Sequence, residues 1–433
     1  MKAHSIMFAF AAVLALLPFN AAAQPARPAD SAFSFAVYGD SRSLMYLPYK
    51  EDQEAEARQV MAEVFELVLP PERAKELVKK YVKLTYDPVS HELTQMVMPF
   101  ITMSEITTLT FDKGWVTKAS VEDVKLLPGV HRTMYEISGG EWVARELVQD
   151  VASGRAKFIL STGDLVWSGA QGSKPSENPY WRLVSDDLKQ LPAPDDQMRA
   201  AGLGGRVFTA VGNHEVMDDP DAEGVLSLFP YLKQFGVSDK NLIYKFDYNG
   251  ARFIFLWTGK YNEHSPTAWG ATRPTYEGQM KQLAAWLDEA KAAGIRKVFI
   301  AFHNPAFCRS GFGAVPDAQN PHKLLASYAK DLDIVVFNGH VHTTETYDVD
   351  GVKYLLLGGG GAEQDPILPG RESVKVPADY PPNLYQKGDP SKEEYNYLLV
   401  DVAPGQPTKF TLNRLRPESS KPFESVELLK GAN

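Results

Sequence analysis

The sequence predicts an α/β protein whose central strands carry chemistry at their carboxyl ends, with a second mixed sheet stacked on the first. Three observations carry that expectation. Five short apolar runs each end in a polar or ionisable residue, helical periodicity alternates with them, and hairpin material follows. The composition agrees. The chain has 433 residues, 44% hydrophobic and 23% charged, which excludes a collagen, a coiled coil or a mostly disordered polymer.

The first run, Ser34 to Tyr38, ends in Gly39-Asp40. The second, Phe158-Ile159-Leu160, precedes Ser161-Thr162-Gly163-Asp164, and the third, Val207 to Val211, precedes Gly212-Asn213-His214-Glu215. Val298 to Phe302 leads to His303, and Ile334 to Phe337 leads to Asn338-Gly339-His340-Val341-His342. Near-continuous apolar runs of this length read as strands buried on both faces. Helices are expected at Trp142 to Val151, at Gln279 to Ala293 with Gly294 as stop, and at Pro321 to Lys330.

Between the first two strand ends lies an insertion, 43–130, expected to form a largely helical cap or side lobe. Glu51 to Tyr81 has apolar residues at helical spacing, broken at Pro70-Pro71, and Thr107 to Phe111 suggests a strand. The acidic run Glu51 to Glu56 reads as a solvated helix start, where carboxylates favour the helix dipole. Downstream, Tyr347 to Asp350 and Val352 to Leu357 flank an Asp-Gly turn, and Tyr395 to Val402 with Thr408 to Leu412 form a final hairpin. These antiparallel strands are the expected source of the second sheet. Residues 32–415 then make one domain, with a Pro-rich loop at 366–391.

The N-terminus reads as a cleavable export signal over 1–23: Lys2, an apolar run from Ile6 to Leu17, and Ala21-Ala22-Ala23 before Gln24. The expectation is a periplasmic or secreted protein, not a lipoprotein, with no membrane attachment after cleavage. Cys308 is the single cysteine, so an internal disulfide is excluded. The formal charge of −9 gives no electrostatic reason to hold a nucleic acid polymer or an anionic membrane. An anionic small molecule remains compatible, because a metal centre reverses the field locally.

Asp40, Asp164, Asn213, His214, His303, His340 and His342 form a set of oxygen and imidazole donors suited to Mn, Fe or Zn rather than to a thiolate-preferring ion. Taken singly, a Gly-Asp after a strand is ordinarily a turn, Asn213 a helix cap, and His303 a satisfied core histidine. Five such coincidences at five strand ends are improbable. Trp167, Tyr261 and Trp269 could line a pocket, although packing explains them as well, and Cys308 reads as a small buried apolar group.

Those residues resemble the calcineurin-like metallophosphoesterases, whose blocks run Asp-x-His, Gly-Asp-x-x, Gly-Asn-His-Asp/Glu, a lone His and Gly-His-x-His. Here they read Gly39-Asp40-Ser41-Arg42, Gly163-Asp164-Leu165-Val166, Gly212-Asn213-His214-Glu215, His303 and Gly339-His340-Val341-His342. The resemblance implies a four-layer α/β/β/α sandwich of two mixed β-sheets flanked by helices. It implies two divalent or mixed-valence ions, with Asp40 and His342 on the first, Asn213, His303 and His340 on the second, and Asp164 bridging. A metal-bound hydroxide would attack a phosphomonoester or phosphodiester, with His214 as acid or charge-stabilising donor beside Asp164.

Arg42 departs from that pattern, standing where the family has a histidine. A guanidinium offers no lone pair, so Arg42 cannot ligate; the expectation is that it binds phosphate, alongside Asn213 and His214, or pairs with a carboxylate such as Glu215. His131 or an acidic residue of the insertion could supply the missing donor. A small-molecule phosphate ester is the expected partner. Three other readings compete: a nucleotide-selective phosphohydrolase, a degenerate phosphate- or partner-binding protein, and a structural protein whose histidines are core residues.

Overall fold

A computed structural model describes residues 31–42, 54–55, 58–59, 62, 70–81, 83–86, 93–97, 140–166, 169, 179–216, 219, 221–258, 274–309, 314–362, 380–385, 395–415 and 422–429. The expected signal segment, most of the insertion, Trp167, Tyr261, Trp269, His131 and most of the Pro-rich loop lie outside these residues.

Fourteen strands are described: β1 (Phe33–Tyr38), β2 (Lys83–Tyr86), β3 (Leu93–Val97), β4 (Ile159–Ser161), β5 (Val207–Thr209), β6 (Tyr244–Tyr248), β7 (Ala251–Phe255), β8 (Lys297–Ala301), β9 (Asp333–Asn338), β10 (Thr344–Val349), β11 (Val352–Leu357), β12 (Tyr395–Val402), β13 (Lys409–Leu415) and β14 (Glu424–Leu428). They make two six-stranded mixed sheets, ordered β14-β13-β12-β1-β4-β5 and β10-β11-β9-β8-β7-β6, and a separate β2-β3 ribbon. β1, β4 and β5 run parallel, as do β7, β8, β9 and β11, while the outer strands are antiparallel.

Alternation along the central strands separates the layers. Phe253, Phe255, Phe299, Ala301, Val335 and Phe337 belong to the core between the sheets. Their neighbours Ile254, Val298, Ile300, Ile334 and Val336 face the opposite way, against Leu283, Leu287 and Leu325 of the helices Tyr276–Ala292 and His322–Tyr328. A two-residue period buried on both faces explains why these runs lack polar residues. Phe35 of β1 lies edge-on to Phe253 at 5.2 Å and Phe299 at 5.0 Å, which locks the two sheets face to face. The helix Gly140–Ala152 covers the outside of the first sheet, with Trp142 5.8 Å from Tyr395 of β12 and Asp150 accepting from Tyr397 at 2.8 Å. The result is a four-layer α/β/β/α sandwich. Among the described residues no helix is long and apolar enough to cross a membrane.

The distribution of strands differs from the expectation. β12 and β13 do not build the second sheet; they join β1 in the first, followed by β14. The second sheet begins instead with the β6–β7 hairpin, whose charged residues break the apolar pattern that marks the other strands. Its turn is Asn249-Gly250, with φ of 45° and 75°, the paired left-handed geometry that matches strand twist. The insertion includes the helix Pro71–Tyr81, which starts at the proline pair, and the β2–β3 ribbon.

Candidate metal centre

The carboxyl ends of the parallel strands of both sheets open on one crevice, the usual position of a site in a sheet of this kind. Asp40 follows β1, Asp164 follows β4, Asn213 and His214 follow β5, His303 follows β8, and His340 and His342 follow β9. All of these but His340 are buried, as is Arg42. Asp40, Asp164 and His340 adopt left-handed backbone with φ of 56°, 54° and 74°. Each sits directly after a glycine, and each costs backbone energy that the surrounding contacts must hold in place. The glycines also give room. A Cβ on Gly339 would overlap Asp40 Oδ2, and one on Gly212 would overlap Asp164 Oδ1.

Four donor atoms converge. His303 Nε2 lies 3.0 Å from Asp164 Oδ2 and 3.0 Å from Asn213 Oδ1. His340 Nδ1 lies 3.0 Å from Asn213 Oδ1 and 3.2 Å from His303 Nε2. Tetrahedral ligation at about 2.0–2.1 Å separates neighbouring donors by about 3.3 Å, so these atoms are spaced for one ion. His303 Nδ1–H donates to the Thr162 carbonyl at 3.0 Å, which leaves the Nε2 lone pair facing the cluster. The donor set fits a divalent cation.

The metal-free electrostatics describe the same need for positive charge. Burial works against a charged His303, but Asp164 outweighs it and pushes the imidazole up to about 9. Burial works against a charged Asp164 too, and the His303 and His214 charges outweigh that, holding the carboxyl well below the usual range. His340, desolvated and beside His303, falls to about 3. A positive charge on His303 and the negative charge on Asp164 thus stabilise each other, as a cation held by the same donors would stabilise Asp164.

The other half of the crevice is arranged differently. His342 Nε2 is 3.8 Å from Asp40 Oδ1, while Arg42 Nη2 lies 3.1 Å from the same His342 nitrogen. Both Asp40 oxygens lie 3.0 Å from the His340 backbone N–H, which they share as acceptors. Burial first, and then the Asp164 charge, raise the Asp40 carboxyl against the opposing pull of His303 and Arg42. Among the described residues, the group spaced to hold a metal is Asp164, His303 and His340.

Two residues have supporting roles that the sequence does not reveal, and Glu215, expected as a possible partner of Arg42, holds backbone groups instead. Glu215 accepts from the backbone N–H groups of Gly212 at 2.6 Å, Asp164 at 2.9 Å and Leu165, so one carboxylate ties the β4 and β5 loops together. Thr162 supplies the carbonyl that orients His303. The Gly212-Asn213-His214-Glu215 block contained Glu215, but its partners are backbone groups, which leave no pattern in the side chains. His214 stands beside the cluster, with Nε2 3.8 Å from Asp164 Oδ2 and its own N–H donating to Asp164 Oδ1 at 2.9 Å. Cys308 is buried away from this set, against Val341 and Leu356.

Residues 130–344 match the calcineurin-like phosphoesterase family. No curated protein matches the chain. Solved structures similar to it include a purple acid phosphatase from yellow lupin, at 14% identity over 67% of this chain and 49% of that one, TM-score 0.44. A dimetal phosphatase from Danio rerio is 12% identical over 92% of this chain and 99% of its own, TM-score 0.43. GAP50, the anchor in the inner membrane complex of Plasmodium, is 14% identical over 67% of this chain and 84% of its own, TM-score 0.42. The chain spans about half the length of the lupin enzyme. The matched stretch contains Asp164, Asn213, His214, His303, His340 and His342, and the chain belongs to the calcineurin-like phosphoesterase family of metal-dependent phosphoric ester hydrolases.

Proposed function

We propose that this chain hydrolyses a phosphomonoester or phosphodiester of a small molecule at the crevice described above, using a divalent ion held by Asp164, Asn213, His303 and His340. The observation that carries the reading is the convergence of those four donor atoms at 3.0–3.2 Å. Such an ion, Mn, Fe or Zn, would supply Lewis acidity toward the phosphoryl oxygens and toward a water nucleophile. The protein's own groups do the rest. His214, held by its N–H on Asp164, faces the leaving-group side as a proton donor or as a hydrogen bond to a phosphoryl oxygen. The Arg42 guanidinium holds a phosphate oxygen in register through its N–H donors. Asn213 uses its Oδ1 on the cluster, leaving its amide N–H groups for the substrate.

Elemental analysis of purified protein, with hydrolysis of a monoester and a diester chromogen before and after chelation, tests the reading. Loss of activity on chelation and its return with Mn supports it, and Asp164→Asn should abolish both binding and turnover. Undiminished hydrolysis in metal-free protein overturns it. A nucleotide panel separates a general phosphatase from a nucleotide-selective one. Export of the chain, with cleavage after Ala23, belongs to the same proposal and is read by cell fractionation and N-terminal sequencing.

A further inference from the structure

We infer that the guanidinium of Arg42 takes the place of one of the two cations usual in this family, so that this chain binds a single ion, at Asp164, Asn213, His303 and His340. The inference rests on the reading above and narrows it. Arg42 is 2% exposed, and its backbone N–H donates to the Asp164 carbonyl at 3.0 Å, which fixes the residue against the shared carboxylate's own loop. Its Nη2 lies 3.1 Å from His342 Nε2. A guanidinium has donors only, so the lone pair of His342 Nε2 points at Arg42 and the ring proton sits on Nδ1.

That commitment removes a ligand. A second ion would need the His342 lone pair, the Asp40 carboxylate and a further donor from the position Arg42 occupies. Arg42 places a guanidinium against His342 instead, close enough to Asp40 to act on its carboxyl, and its positive charge repels a dication at the same point. Both Asp40 oxygens meanwhile accept from the His340 backbone, which holds the neighbouring ligand loop. The two halves of the crevice thus differ in kind. One presents four lone-pair atoms at ligand spacing, and the other presents an imidazole already facing a guanidinium and a carboxylate already accepting from the His340 backbone.

The test is ion counting on the full chain loaded with Mn²⁺, by elemental analysis after dialysis and by titration calorimetry, with electron paramagnetic resonance of the same samples. The wild type should bind one ion per chain and give the spectrum of isolated Mn²⁺. Arg42→His should bind two and give the spectrum of a spin-coupled pair. A wild type holding two coupled ions overturns the inference and leaves the metal-dependent reading standing. An Arg42→His protein that folds by circular dichroism yet stays at one ion also overturns it, because something other than Arg42 would then exclude the second. If Arg42→His does not fold, the wild-type count and spectrum decide alone. A wild type that binds no Mn²⁺ sinks the underlying reading and the inference with it.

Discussion

Replacing Glu215 by glutamine separates two effects of one buried carboxylate. The first is geometric. Glu215 accepts three backbone N–H groups, from Gly212, Asp164 and Leu165. A glutamine amide has one oxygen, so at least one donor loses its acceptor and faces an NH₂ group, at about 1–3 kcal/mol. The second is electrostatic. Burial, and then the Asp164 charge, push the Glu215 carboxyl up to about 7 from its ordinary 4.5. Between those values the folded state holds a proton that the unfolded chain has lost, so folding stability is full below 4.5 and declines as pH rises through 7. That difference corresponds to about 3 kcal/mol in the metal-free protein. Chemical denaturation of metal-free wild type and Glu215→Gln at pH 5, 6, 7 and 8 reads both. The variant should be the less stable at pH 5, and the gap should narrow by about 3 kcal/mol, or reverse, by pH 8. Parallel stability curves across this range would refute the electrostatic half of the argument.

Phe35→Ala removes a fully buried ring between the sheets and should cost about 3–5 kcal/mol, measured as a lower denaturation midpoint with an unchanged fold by far-ultraviolet circular dichroism. Gly212→Ala places a methyl against Asp164 Oδ1 and should weaken Mn²⁺ binding at least tenfold by calorimetry, while a Gly154→Ala control, in open space, leaves it unchanged. Asp195 caps the helix Asp196–Ala200 by accepting from Met198, and Asp195→Ala should cost about 1 kcal/mol at neutral pH. Burial would raise the Asp195 carboxyl, but the Met198 N–H and Lys157 outweigh it and keep it below 3.8. The cap's contribution is therefore complete above 3.8 and disappears as pH falls through the lowered value, so the two proteins should converge in acid.

The parallel strands were legible because burial on both faces demands unbroken apolar runs, and each run gives way within three residues to a glycine or histidine that begins a loop. Asp40, Asp164, Asn213, His303 and His340 could be named from those stops. Which sheet a run joins was not legible. Phe158 and Phe299 look alike in a sequence, and only the pairing of β1 with β4, or of β8 with β9, separates them. The β6–β7 hairpin carried a readable Asn249-Gly250 turn, but Lys245, Asp247 and Arg252 interrupt its apolar character. Arg42 could be read as unable to ligate, but its approach to His342 depends on residues 300 positions apart meeting in space. The role of Glu215 was hidden for a different reason, since its partners are peptide N–H groups that every residue except proline possesses.

The pairing of β1 with β12 sets the order in which the molecule can be made. Phe33 lies opposite Val402, so the strand that presents Asp40 waits for a partner translated 369 residues later (402 − 33). Until then one edge of β1 is bare, an apolar ribbon with unused peptide groups that invites association with other chains. Nascent chains stalled before residue 395 should accordingly be clients of chaperones, with the strand that carries Asp40 gaining its second neighbour only when β12 pairs with it.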